Sequence, residues 1–149
     1  MDFLQVIEKR KTFRKYSDRP VEREILDAIV NVAQTAPSSR NSKSSAFMIV
    51  EDRDTLDALS QMRDYGSALL SGAQAAIVVL GDETKTDLWV DNCAISATFI
   101  QLAVTAMDLV WHHEVISLCT ARRILLIGHS FTSLPNVSFH PRTEMIFRN

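Results

Sequence analysis

Residues 89–108, WVDNCAISATFIQLAVTAMD, wind into a helix that is apolar almost all round. Such a helix needs cover on every side, so the rest of the chain has to be arranged about it. Its most apolar part, CAISATFIQLAVTAM, is too short to span a bilayer, and Asp91, Asn92 and Asp108 flank it. It therefore reads as the buried centre of a globular fold. The chain of 149 residues suits one domain, residues 1–149, with a sizeable core. Hydrophobic residues at 46% and charged residues at 23% give the balance of a soluble globular protein.

The segments around that helix have their own signals. Asp2 and Gln5 have capping-box spacing, and Phe3, Leu4 and Ile7 give one apolar face to a short first helix ending near Thr12. Pro20 separates it from the next element, because the residue before a proline disfavours helix. A second helix carries Ile25, Ile29, Val32 and Ala36 at helical spacing and stops at Pro37. The runs AFMIV (46–50) and AQAAIVVLGD (73–82) read as buried strands, the second stopped at Gly81. Between them, Asp52 or Asp54 caps a short helix with Leu56 and Leu59 on one face. RRILLIGH (122–129) reads as a third strand, and PRTEMIF (141–147) as an extended arm. Strands interleaved with helices, one helix fully covered, imply helices on both faces of a mixed sheet. That sheet is small for the chain, and a dimer would help complete it.

Composition and motifs exclude several chemistries. A net charge of −2 gives no global basic field for nucleic acid or an anionic membrane. Cys93 and Cys119 are far apart and form no C-x-x-C, which excludes a disulfide framework and leaves a reducing cytoplasm as the expected compartment. The opening MDFLQVIEKRK puts apolar before basic, the reverse of a secretory signal. The four glycines, Gly66, Gly72, Gly81 and Gly128, are scattered, so neither a Walker loop nor G-x-G-x-x-G can bring backbone N–H groups onto a phosphate. His112 and His113 are adjacent and point apart, a poor metal pair, and no metal site is expected. Cys93, inside the apolar helix, reads as a small core residue.

Two stretches could hold a ligand. In EKRKTFRKYS, Arg10, Lys11 and Arg14 bracket Thr12. Arg10 and Arg14 share one side of a continuing helical turn, and guanidinium forks match phosphate oxygens with two parallel bonds. A solvated basic face accounts for the same residues. In TAPSSRNSKSSAFMIV, Ser38, Ser39 and Asn41 offer hydroxyls and an amide just after a helix, suited to the edge of a planar heterocycle. On these residues alone, an ordinary turn with local side-chain-to-backbone bonds is the better account.

Taken together, four blocks in order resemble the nitroreductase family of FMN-dependent oxidoreductases. IEKRKTFRKYSDRPVEREIL is similar to its Arg-Arg-Ser-x-Arg opening and Pro-Val helix start. AQTAPSSRNSKSSAFMIV is similar to Ala-Pro-Ser-x-x-Asn-x-Gln-Pro-Trp and a strand. AAIVVLGD and WVDNCAISATFIQLAVTAMDL are similar to a strand and the long central helix, and ILLIGHS with HPRTEMIFRN to the closing strand and tail. There are three departures. Lys43, Ser44 and Ser45 stand at Gln-Pro-Trp, MDLVW stands at Gly-Leu-Gly, and the interval 109–128 is shortened and has no clear match.

The resemblance implies an α+β fold of three layers, α/β/α, around a mixed, mostly antiparallel sheet with helices on both faces. It implies an intertwined homodimer with FMN at the interface. Arg10, Lys11, Thr12 and Arg14 would hold the phosphate and part of the flavin, and Arg142 would add a second positive charge at the phosphate. Pro37, Ser38, Ser39 and Asn41 would approach the same flavin from the other subunit. The implied activity is a ping-pong transfer from NAD(P)H to a nitroaromatic, quinone or similar electron-poor acceptor, with no protein acid or base required. Lys43 is a candidate cation near the flavin. The shortened interval motivates an alternative, a non-catalytic flavin-binding or dimeric scaffold protein with a degenerate active site. A third reading is a basic N-terminal helix that binds an acidic partner.

Overall fold

A computed structural model of the chain describes residues 2–11, 16–61, 68–107, 115–120 and 144–146. The first helix, α1 (Phe3–Lys9), opens with the expected reciprocal cap. Gln5 N donates to Asp2 Oδ1 at 3.0 Å, and Asp2 N donates to Gln5 Oε1 at 3.1 Å. It ends earlier than Thr12, because Arg10 turns out of the helix at φ −58°, ψ 115°. Arg10 is therefore the residue that closes α1, and Arg14, the other half of the expected same-side pair, lies outside the described residues. Of α1's apolar residues Val6 is buried, while Phe3, Leu4 and Ile7 are exposed.

Helix α2 (Arg23–Gln34) buries Leu26, Ile29, Val30 and Ala33. The core face is therefore turned from the expected one. Leu26 takes the central place, Ile25 packs at its margin, and Val32 is exposed. Thr35 Oγ1 and Thr35 N both donate to Val32 O, closing the helix before Pro37. At its start Arg23 bonds Asp27 and Glu51, each at 3.0 Å, tying α2 to the residue just past the first strand. Burial alone pulls the Arg23 guanidinium's pKa down, and the bonds and charges of Asp27 and Glu51 outweigh it, leaving the pKa above its ordinary value.

Strand β1 (Ser45–Val50) is followed by α3 (Arg53–Ser60), a short 3-10 segment (Ala68–Gly72) and β2 (Ala75–Gly81). Asp52 is the cap of α3, its carboxylate accepting from Thr55 N at 2.9 Å. Arg53 reaches from α3 to the carbonyls of Ala73 and Leu70 at 2.9 and 3.0 Å, fixing the segment that leads into β2. Then come α4 (Trp89–Ala106), β3 (Val115–Thr120) and β4 (Glu144–Ile146). The sheet order is β3-β2-β1-β4, antiparallel between β2 and β1 and between β1 and β4, parallel between β2 and β3. It is mixed and mostly antiparallel, and α4 makes the crossover that a parallel pair requires. β4 falls inside the expected arm. β3 comes from the unassigned interval, whereas the strand expected at 122–129 lies outside the described residues, as do Thr12, Arg14 and Arg142.

Alternation along the two central strands divides the core. Phe47, Ile49, Ala75, Ile77 and Val79 face α2 and α4. Met48, Val50, Ala76, Val78 and Leu80 pack with Leu56, Leu59 and Leu70 of the other side. Each large side chain buried this way contributes about 1.5–3 kcal/mol before entropy is set against it. Helix α4 is not covered all round within one chain. Cys93, Ile100 and Ala103 are buried, but Val90 and Ile95 remain exposed. Among the described residues no helix is long and apolar enough to cross a membrane.

Gly81 lets α4 close onto the end of β2. A Cβ there would collide with the Trp89 ring and lie 2.9 Å from Cys93 Sγ. Gly81→Ala is therefore expected to cost about 1–3 kcal/mol. Thermal unfolding should show a midpoint several degrees lower, and an unchanged midpoint would contradict this packing.

Candidate functional site

Between α2 and β1 the chain makes a short loop with an unusual backbone. Ser39–Asn41 form one 3-10 turn, with Arg40 left-handed at φ 51°, ψ 25°. Asn41 at φ 53° and Lys43 at φ 47° are left-handed too. Asparagine tolerates this region, whereas Arg and Lys lie there at a cost of about 1–2 kcal/mol each. Three such residues within four positions require an external hold.

That hold is Asn92, in the first turn of α4 and 2% exposed. Its Oδ1 accepts from Ser39 N at 2.9 Å. Its Nδ2 faces the hydroxyls of Ser44 at 2.8 Å and of Ser39 and Ser42 at 3.2 Å each. Around it, Lys43 N donates to Ser38 Oγ at 3.0 Å, and Ser39 Oγ pairs with Thr86 Oγ1 at 3.2 Å. Lys85 Nζ donates to Lys43 O at 3.3 Å, and Asp82 N to Ser44 O at 2.8 Å. One turn along α4, Ser96 Oγ donates to Ser45 Oγ at 3.3 Å. The loop is thus stitched to the start of α4 and to the turn after β2.

Beside the loop lies a shallow cleft, open to solvent, between the end of α2, β1 and α4. Ala33, Ala36 and Phe47 give it an apolar wall, and Gln34, Ser38, Ser45 and Ser96 a polar one. Lys43 is the only charged side chain among the described residues that line it. A small-walled cleft with hydroxyls and one cation suits the polar edge of a flat heterocycle.

The structure brings Pro37, Ser38, Ser39 and Asn41 together on this one loop, with Ser38 and Ser39 partly buried and Pro37 and Asn41 exposed. Arg10 and Lys11 are exposed at the end of α1, a separate element. Sequence reasoning missed Asn92, treating it only as a flank of the apolar helix. The available signal was its spacing to Ser96, four residues on. Two polar residues on one face of a helix that is otherwise covered must find partners.

The nitroreductase family profile matches residues 7–101, from α1 into α4 and across the whole loop. The chain belongs to the nitroreductase family. A curated relative from Methanothermobacter thermautotrophicus, named provisionally as an NADH dehydrogenase/NAD(P)H nitroreductase, is 34% identical over 74% of this chain and 60% of its own. The solved FMN-dependent nitroreductase from Clostridium difficile R20291 is 38% identical over 70% of this chain and 61% of its own, with a TM-score of 0.68. A nitroreductase-type structure from Desulfovibrio desulfuricans, solved in complex with FMN, is 25% identical over 70% of this chain and 62% of its own, with a TM-score of 0.64. The chain spans less than two thirds of the length of these relatives.

The loop's backbone gives a direct test in this nitroreductase-family chain. Arg40→Gly removes the left-handed penalty and should leave stability equal or raise it by up to about 1 kcal/mol. Arg40→Val should lower it by about 1–2 kcal/mol. Urea midpoints measure both, and equal losses in the two variants would show that Arg40 is not held left-handed.

Proposed function

We propose that the chain is an FMN-dependent oxidoreductase that takes reducing equivalents from NAD(P)H and passes them to an electron-poor acceptor such as a nitroaromatic or quinone. The cleft beside the Asn92-held loop is the observation that carries this reading. Its residues fit FMN. Ala36 can meet the face of a flat ring and the hydroxyls of Ser38 and Ser45 its polar edge, with Ala33 and Phe47 buried behind them. The family membership and the FMN in a related structure support the same cofactor.

Bound FMN would supply the redox chemistry, accepting hydride from NAD(P)H and releasing electrons to the acceptor in ping-pong order. The chain's own residues then bind, orient and tune. Arg10, Lys11, Thr12 and Arg14, with Arg142, hold the phosphate, whose charge near −2 is best met by several fixed cations. Pro37, Ser38, Ser39 and Asn41 approach the flavin of the partner protomer. Lys43 places a positive charge in the cleft, which favours the negative charge gained on reduction.

The site is completed in an intertwined homodimer. Phe3, Leu4 and Ile7 on α1 and Val90 and Ile95 on α4 are exposed in the single chain. A second copy covering them would enclose α4 as its composition demands. The three-layer arrangement follows from the same family likeness and from the two cores on opposite faces of the sheet.

Two measurements test this reading. The purified protein should be yellow, and anaerobic NADPH or NADH should bleach it. A yellow protein that neither bleaches would favour a flavin-binding scaffold, and a colourless one without FMN affinity would overturn both. Arg10→Ala should remain a folded dimer with FMN content after gel filtration reduced about tenfold or more. Full occupancy would remove Arg10 from the phosphate site. Lys43→Ala should lower the reduction potential of the bound flavin, and an unmoved potential would remove Lys43 from the cleft's electrostatics.

A further inference from the structure

The amide of Asn92 is oriented by chemistry as well as by fit. Ser39 N–H can only donate, so Oδ1 must face it, and Nδ2 must then face the serines. Nδ2 carries two hydrogens but meets three hydroxyl oxygens, on Ser44, Ser42 and Ser39. The 2.8 Å bond to Ser44 takes one hydrogen, and the two 3.2 Å contacts share the other. Ser44 is itself 2% exposed, so this bond lies away from water. A buried amide that loses such partners leaves polar groups unsatisfied, at about 1–3 kcal/mol for each.

Of the proposed flavin-facing edge this side chain bonds Ser39 directly, and it also bonds Ser42 and Ser44 just beyond that edge. Ser39 is bonded through both its backbone and its hydroxyl. Ser42 and Ser44 are held on either side of Lys43, and Lys43 N reaches back to Ser38. The left-handed run at Arg40, Asn41 and Lys43 lies between these fixed points.

We propose that Asn92 is a positioning residue of the cofactor site, setting FMN affinity without touching FMN by holding the 38–44 loop in its left-handed form. This rests on the flavin reading above. The bound geometry is prepared in advance, and the ordering cost that FMN would otherwise meet falls on the fold.

The test is FMN affinity of the FMN-stripped full chain, measured by quenching of flavin fluorescence. Asn92→Ala should raise the Kd about tenfold or more. Ile100→Val, buried on the same helix but away from the loop, should lower the melting temperature while leaving the Kd within about twofold of wild type. Ser44→Ala, which removes one bond of the network, should raise the Kd by a smaller factor, about threefold. It carries the test if Asn92→Ala does not fold. Wild-type affinity in Asn92→Ala, or in Ser44→Ala where that variant carries the test, overturns the proposal while leaving the flavin reading intact. So does an equal loss in Ile100→Val. A wild-type chain with no FMN affinity overturns both.

Discussion

The hydrogen bonds of Asn92 are the contact on which the site's geometry depends. A buried side chain at the start of α4 holds four atoms of a loop more than forty residues earlier. It does so where the backbone is least able to hold itself, through three left-handed residues that are not glycine. A glycine-rich loop would give the same freedom at a larger entropic cost. Here serines supply the contacts, and the helix supplies the fixed point.

That fixed point is itself placed by the sheet. β1 begins directly after the loop, and its first residue, Ser45, pairs with Gly81 at the end of β2. Gly81 has no side chain, so Trp89 and Cys93 of α4 can settle onto it. Asp82 N continues the ladder by one further bond to Ser44 O. The end of β2, the start of β1 and the first turn of α4 therefore converge, and the loop has no other place to go. The cleft beside it inherits its wall from the core, since Phe47 and Ala33 belong to the buried cluster between sheet and helices.

Much of this was legible in the residues. The continuous apolar runs AFMIV and AAIVVL located the two central strands, and Asp2 with Gln5, and Asp52 of the pair Asp52 or Asp54, marked helix starts that the structure shows. Periodicity alone was less decisive for α2, where Leu26 and Ile25 compete for the same face and only packing against the sheet decides. VISLCT (115–120) was not assigned because a short apolar run with no flanking glycine or proline carries no strand boundary. Asn92 was hidden for a different reason. Its spacing to Ser96 says only that it needs partners, and those partners lie more than forty positions away, where no local pattern identifies them. The Ala-Pro-Ser and Asn of the loop pointed to a ligand only through their likeness to a family, since serine and asparagine punctuate ordinary turns as readily.

The central claim is that the loop held by Asn92 is the surface that meets the flavin. Backbone amide chemical shifts, followed as FMN is added to the stripped chain, test it most directly. The account predicts the largest changes at Ser38, Ser39 and Asn41 and at Arg10 and Lys11. Thr55 and Ala58 of α3, on the opposite side of the sheet, should stay in place. Changes centred on α3, or a loop whose amides do not move at saturating FMN, would contradict it.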